Sequence, residues 1–151
     1  MGAELGAQVG GRATPQVAAI NAVIGYRLYW ISDSTAFDAC SVYRAAGSQQ
    51  RVVDGLAPGI RDWFMASAKP CGDAAAGDPR RESRVLVDSL AVSGAVASVY
   101  LTVRRGERTH REEYRLMNPT PGLTWAVDRV VLSGAVRNYY VRPGARPASH
   151  P

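Results

Sequence analysis

The chain has 151 residues, of which 46% are hydrophobic and 21% charged. It is too apolar for a disordered tail and suits one domain rather than two. Lys and Arg number 18 against 13 Asp and Glu, a formal charge of +5, and no apolar run approaches the ~20 residues of a spanning helix, so no membrane span is expected. With two histidines and two cysteines, a four-ligand zinc site would need nearly all of them to converge; no metal and no cofactor are expected.

The first element is an expected flexible leader over residues 1–13. It lacks the basic and apolar regions of a signal peptide, and Gly6 stands where a myristoylation signal has Ser or Thr. Thr14-Pro15 then reads as a helix start, because Thr caps free amides and Pro has no N–H to leave unpaired. Val17, Ile20, Val23, Ile24, Leu28 and Ile31 fall at helical spacing and predict a helix over 15–31. Gly25 is its weak point, since a glycine inside a helix costs about 1 kcal/mol relative to alanine.

Ser32-Asp33-Ser34 offers caps for a second helix over 35–46, with Phe37, Cys40, Val42 and Tyr43 inward and Gly47 at its end. A third helical stretch is predicted near 59–68, burying Ile60, Trp63 and Phe64. Residues 72–83 read as an exposed connector. Cys40 and Cys71 fit neither a CxxC motif nor a nucleophile elbow, and an even pair suits one disulfide. Closing a loop of that length is worth roughly 3 to 4 kcal/mol by the chain-entropy estimate. A bridge implies a periplasmic or extracellular setting, whereas two buried free thiols would suit the cytosol.

From Arg84 the hydrophobic period changes to two. Val85–Val92, Val96–Arg105, Arg108–Met117 and Thr124–Leu132 read as four strands, with Val136–Val141 extending the edge. Their short connections, Ser93-Gly94-Ala95, Gly106-Glu107 and Asn118 to Gly122, require antiparallel neighbours and exclude a parallel βαβ sheet. Arg142 to Pro151 reads as a disordered, proline-rich tail. Helices followed by an antiparallel meander make an α+β domain over 14–141, with N-terminal helices packed on a curved sheet.

The positive charge lies in the second half. Residues 1–78 hold six basic and seven acidic groups, and residues 79–151 hold twelve and six. Between Arg104 and Arg115 the arginines interleave with Glu107, Glu112 and Glu113, which favours cross-strand pairing on a solvated face over a phosphate-binding stripe, so nucleic acid is not the expected partner.

The order of elements resembles the NTF2-like (SnoaL and ketosteroid isomerase type) cone fold. The residues that carry the resemblance are Tyr26, Tyr29 and Trp30 on the long first helix, the Ala97–Val103 strand, and the late Trp-x-Val-x-x-Val followed by Gly, here Trp125, Val127, Val130 and Gly134. The resemblance covers about residues 14–136. It implies a pocket between helices and sheet, lined by Tyr26, Tyr29, Trp30, Tyr114 and Trp125, and a homodimer through the sheet. The isomerase mechanism needs a general-base Asp and an oxyanion pair of Tyr and protonated Asp, and no positions here match that set.

Alternation places His110, Glu112, Tyr114 and Leu116 on one face of the third strand and Arg111, Glu113, Arg115 and Met117 on the other. If the first set faces the helices, His110 with Glu112, or with Asp38, forms a candidate acid/base pair, with Tyr26 or Tyr29 and Asp33 across from it. The ordinary alternatives are an exposed His110, a Glu112 paired with Arg104 or Arg129, Tyr114 and Trp125 as core aromatics, and Asp33 and Asp38 in helix-cap roles. No GxSxG, Walker A, GxGxxG or HExxH motif occurs. The expected function is therefore a non-catalytic, exported bacterial domain that binds a small apolar ligand or a protein partner. The alternative is a cofactor-independent lyase, isomerase or hydrolase using His110 with a nearby carboxylate.

Overall fold

The computed structural model describes residues 13–70, 83–118, 125–132 and 135–137. Residues 1–12 of the expected 1–13 leader, the connector with Cys71, most of the turn at 118–122, residues 138–141 of the expected edge segment and the tail lie outside the described residues, as do Thr124 and Gly134.

Helix α1 spans Pro15–Tyr26 and starts as its sequence dictates: the Thr14 hydroxyl accepts the Val17 N–H at 3.2 Å and Pro15 occupies the first turn. Its inner face buries Val17, Ile20, Val23, Ile24 and Tyr26. The predicted continuation to Ile31 is helical but not α: Arg27–Ile31 winds as a π-helix that ends at Ser32, in the left-handed region at φ 61°. The wider turn buries Arg27 completely and leaves Tyr29 48% exposed.

The second helix, α2, covers Ala39–Ala46 and begins later than the expected 35. Backbone pairing displaces its first turn. Phe37 and Asp38 bridge to Val85 and Lys69 in parallel fashion, with the Asp38 N–H donating to Val85 at 2.7 Å and the Val85 N–H to Ala36 at 2.8 Å. Ser32-Asp33-Ser34 is thus no helix cap. Gly47 does end α2, at φ 106°. A short helix that the apolar pattern did not reveal, α3 (Gln49–Gly55), follows, capped by the Ser48 hydroxyl on the Arg51 N–H at 3.1 Å.

Helix α4, Pro58–Ser67, buries Ile60 and Phe64. Trp63 is half-buried and meets Phe37 edge-on at 6.2 Å, and Tyr43 meets Phe64 at 6.0 Å. Two buried contacts tie the helices together. The Asn21 carboxamide oxygen accepts the Ala57 N–H at 2.9 Å. Gly55 lies so close to α1 that a Cβ there would stand 2.6 Å from Val17 Cγ1.

Five strands follow, β1 (Ser83–Ser93), β2 (Val96–Arg105), β3 (Arg108–Met117), β4 (Ala126–Leu132) and β5 (Ala135–Arg137), in one antiparallel meander of that order. Gly94 and Gly106 supply positive φ of 60° and 61° in the tight turns, a conformation that opposes little in glycine and much in a β-branched residue. The register slips at Val87/Ser89 and at Arg115/Leu116, and such bulges bend and twist a sheet.

One face buries Ala97, Val99, Leu101, Val103, Tyr114, Leu116, Val127 and Val130 against α1 and its neighbours, and the other carries exposed Tyr100, Arg111 and Arg115. The architecture is α+β, with the N-terminal helices on one face of an antiparallel sheet. No described helix is long and apolar enough to cross a membrane.

Candidate functional site

Alternation along β3 turns His110, Glu112, Tyr114 and Leu116 toward the helices, and the burial pattern follows it: Glu112, Tyr114 and Leu116 are buried and Arg111 and Arg115 exposed. Glu112 sits in one row with Leu101 and Leu132. A carboxylate among such neighbours is tolerated only when it is paired and hydrogen-bonded.

Its partner is Arg27. The guanidinium Nε donates to Glu112 Oε1 at 2.9 Å and Nη2 to Oε2 at 3.2 Å, a two-pronged contact between side chains that are 1% and 3% exposed. The Tyr114 hydroxyl donates to Oε1 at 2.6 Å, and His110 Nε2 stands 2.7 Å from Oε2. The same Nη2 reaches Asp33 Oδ2 at 3.0 Å. Asp33 Oδ1 in turn accepts the Thr35 N–H at 2.9 Å and its hydroxyl at 2.6 Å. Arg105, at the end of β2, closes the cluster on Asp33 from the solvent side.

These contacts fix the ionisation of the cluster. Burial opposes the Arg27 charge, yet the hydrogen bonds and opposite charge of Glu112 hold its pKa above the ordinary guanidinium range. For Glu112, burial alone would favour the neutral acid; the hydrogen bond and charge of Arg27, then Tyr114 and His110, outweigh it and lower the pKa. Asp33 behaves alike: burial is overcome by the Thr35 hydrogen bonds and by Arg27 and Arg105, and its pKa falls well below the carboxylate range. Burial first, and then the Glu112 charge, push the Tyr114 phenol up.

His110 and Glu112 thus come together as the alternation of β3 implies. Asp38 does not join them. Its carboxylate takes Arg84 Nη1 at 3.1 Å, and its backbone pairs with Val85, which shares a row with Val103 and His110. Three strand spacings, about 14 Å, therefore separate it from the histidine. Neither Arg104 nor Arg129 takes Glu112.

The aromatic candidates scatter. Tyr26 and Tyr114 are buried edge to face at 5.9 Å, and Trp125 is 7% exposed with its Nε1–H donating to the Pro15 carbonyl at 3.1 Å. Trp30 packs half-buried against the core while Tyr29 faces outward. Cys40 is not a free thiol, and Cys71 lies outside the described residues.

Arg27 is the residue that sequence reasoning passed over. Its signal was present, since position 27 continues the stripe of Ile20 and Ile24 that ends at Ile31, and an arginine on an apolar stripe needs a buried anion.

The outer face holds a depression of about 510 Å³ lined in part by Asp88, Ser89, Tyr100, Arg111, Glu113 and Val131. Asp88, at the β1 bulge, accepts the Thr102 hydroxyl at 2.6 Å, and the Glu113 charge raises the Tyr100 pKa. Arg115 is paired with Asp128 across β3 and β4. Among the described residues no group of three or more His, Cys, Asp and Glu could hold a metal ion. Comparison of the chain with family models, with curated proteins and with solved structures finds no match in any of the three.

Proposed function

We propose that this chain is a non-catalytic, exported binding domain of the NTF2-like type whose open sheet face holds a protein partner, in the first instance a second copy of itself. The observation that carries the reading is the saturation of Glu112. Both of its oxygens are committed, to Arg27, Tyr114 and His110, and a carboxylate held ionised by a buried arginine is a poor proton acceptor for a substrate.

The aromatic residues Tyr26, Tyr114 and Trp125 serve as core, which also disfavours a small apolar ligand between helices and sheet. The outer face supports the protein-binding reading differently. It carries both signs of charge, with Asp88, Arg111 and Glu113 around Tyr100 and Arg115, paired with Asp128, on the same face, and a two-fold contact places such a patch against itself.

Sedimentation equilibrium from micromolar to near-millimolar protein tests the proposal. A concentration-dependent dimer that Arg111→Glu weakens about tenfold or more is expected, and a monomer throughout refutes self-association. A Cys40–Cys71 disulfide and a periplasmic or extracellular location belong to the same proposal. Protein made in an oxidising compartment and then unfolded should show no titratable thiol.

The second reading, a cofactor-independent enzyme, rests on the 2.7 Å contact between His110 and Glu112. It requires that His110, whose side chain is 30% exposed, meet substrate from the solvent side. Turnover of any small substrate that His110→Ala abolishes without loss of fold would favour it.

A further inference from the structure

We propose that the buried end of Arg27 is a carboxylate-binding site that Asp33 holds shut, acting as a one-pronged internal stand-in for the ligand. The site lies on the helix-covered face and is independent of the outer-face proposal above.

A guanidinium offers two forks, one from Nε with Nη2 and one from Nη2 with Nη1, each matched to the two oxygens of a carboxylate. Glu112 fills the first fork with both oxygens. The second is half filled. Asp33 Oδ2 takes the remaining Nη2 hydrogen at 3.0 Å, and Nη1 is buried without a hydrogen-bond partner among the described residues. Asp33 lacks the reach to complete it, because its other oxygen is held by the Thr35 N–H and hydroxyl.

A buried donor left without an acceptor is unfavourable, so a carboxylate free of the Thr35 contacts gains where Asp33 cannot. Charge selects the same ligand class. Arg27 and Arg105 face Glu112 and Asp33, two charges against two. If Asp33 leaves, a ligand carboxylate restores the balance and a neutral ligand does not.

The gate is local. Asp33 lies on the irregular segment between the π-helical turn and the bridge at Phe37. Its side chain is 15% exposed, and Arg105, 45% exposed, meets it from the solvent side. Strained or rare backbone, here the π turn and the left-handed Ser32, gathers where structure serves a site. The occupant is thus a short carboxylate, or the terminal carboxylate of a larger molecule.

The test compares sodium acetate with sodium chloride at equal ionic strength on the full chain and on Asp33→Ala. Acetate should raise the unfolding temperature of the variant saturably, with an apparent affinity about tenfold or more above that for the wild type, through preferential binding to the folded state. It should also shift the Arg27 Nε–H signal in a 15N spectrum. Asp33→Asn, which keeps the shape and loses the charge, should fall between. The same acetate response in wild type and variant would mean general salt stabilisation and would overturn the proposal, as would a folded variant whose Arg27 signal does not move.

Discussion

Removing Arg27 while leaving Glu112 in place should be among the most damaging substitutions available to this chain. Both side chains are almost wholly removed from water, 1% and 3% exposed, and they touch at 2.9 and 3.2 Å. For two unit charges about 4 Å apart, an effective dielectric near 20 gives an attraction of roughly 4 kcal/mol. Breaking a buried pair by deleting one member is typically unfavourable by about 3 to 5 kcal/mol, because the survivor stays buried and unpaired.

Arg27→Met is therefore expected to lower stability by about 3 to 5 kcal/mol, a large part of the net stability of an ordinary domain. Glu112→Gln should be milder, since Arg27 keeps Asp33. The double variant should recover part of the loss, with a coupling of about 2 kcal/mol or more. Urea unfolding of all four proteins at pH 7, followed by circular dichroism, measures the cycle. If the two single effects add to within about 0.5 kcal/mol, the pair is not coupled and the reasoning from burial is wrong.

Further outcomes follow from neighbouring contacts. Asp33 and Glu112 have folded pKa values below their unfolded ones, so the unfolded chain binds more protons in the interval between. The stability they contribute is complete above the unfolded values near 4 and is lost as pH falls through the folded ones. Urea midpoints should drop steeply below about pH 4, and Asp33→Asn should flatten that slope. Gly55→Ala should destabilise by about 1 to 3 kcal/mol through overpacking despite alanine's better helix propensity, because the new Cβ would meet Val17 at 2.6 Å. Thermal melts would show this as a lower midpoint, and a Val17→Ala background should relieve it. Asn21→Ala should cost about 1 to 3 kcal/mol by leaving the buried Ala57 N–H without its acceptor, readable as faster amide exchange at Ala57.

The fold was largely legible because periodicity reports burial. Alternation from Val85 to Leu132 and the short turns with Gly94 and Gly106 permit little besides a meander, and that is the sheet observed. Helix boundaries were less legible where tertiary pairing competes with capping. Ser32, Asp33 and Ser34 are good N-cap residues, but the amides of Asp38 and Ala39 are satisfied by Val85 and Lys69, so no helical turn is needed before Ala39. The short helix Gln49–Gly55 escaped because its burial rests on Val52 and Gly55, too few positions to set a period.

The cluster around Arg27 shows how far pattern can reach into chemistry. Alternation groups Glu112 with Tyr114 and Leu116 on one face of β3, and position 27, which the sequence reading passed over, continues the Ile20 and Ile24 stripe into the π-helical turn; once that face is known to meet the helices, the two opposite charges imply a buried pair between the first helical segment and the third strand. What pattern could not supply is stoichiometry. Hydrogen-bond accounting in three dimensions is needed to find that Glu112 is saturated, that Asp33 divides its oxygens between Thr35 and the arginines, and that Arg27 Nη1 is left over among the described residues. That remainder separates two roles within one cluster: Glu112, fully committed, is the structural anchor, and Asp33, holding one prong from an irregular segment, is the replaceable contact.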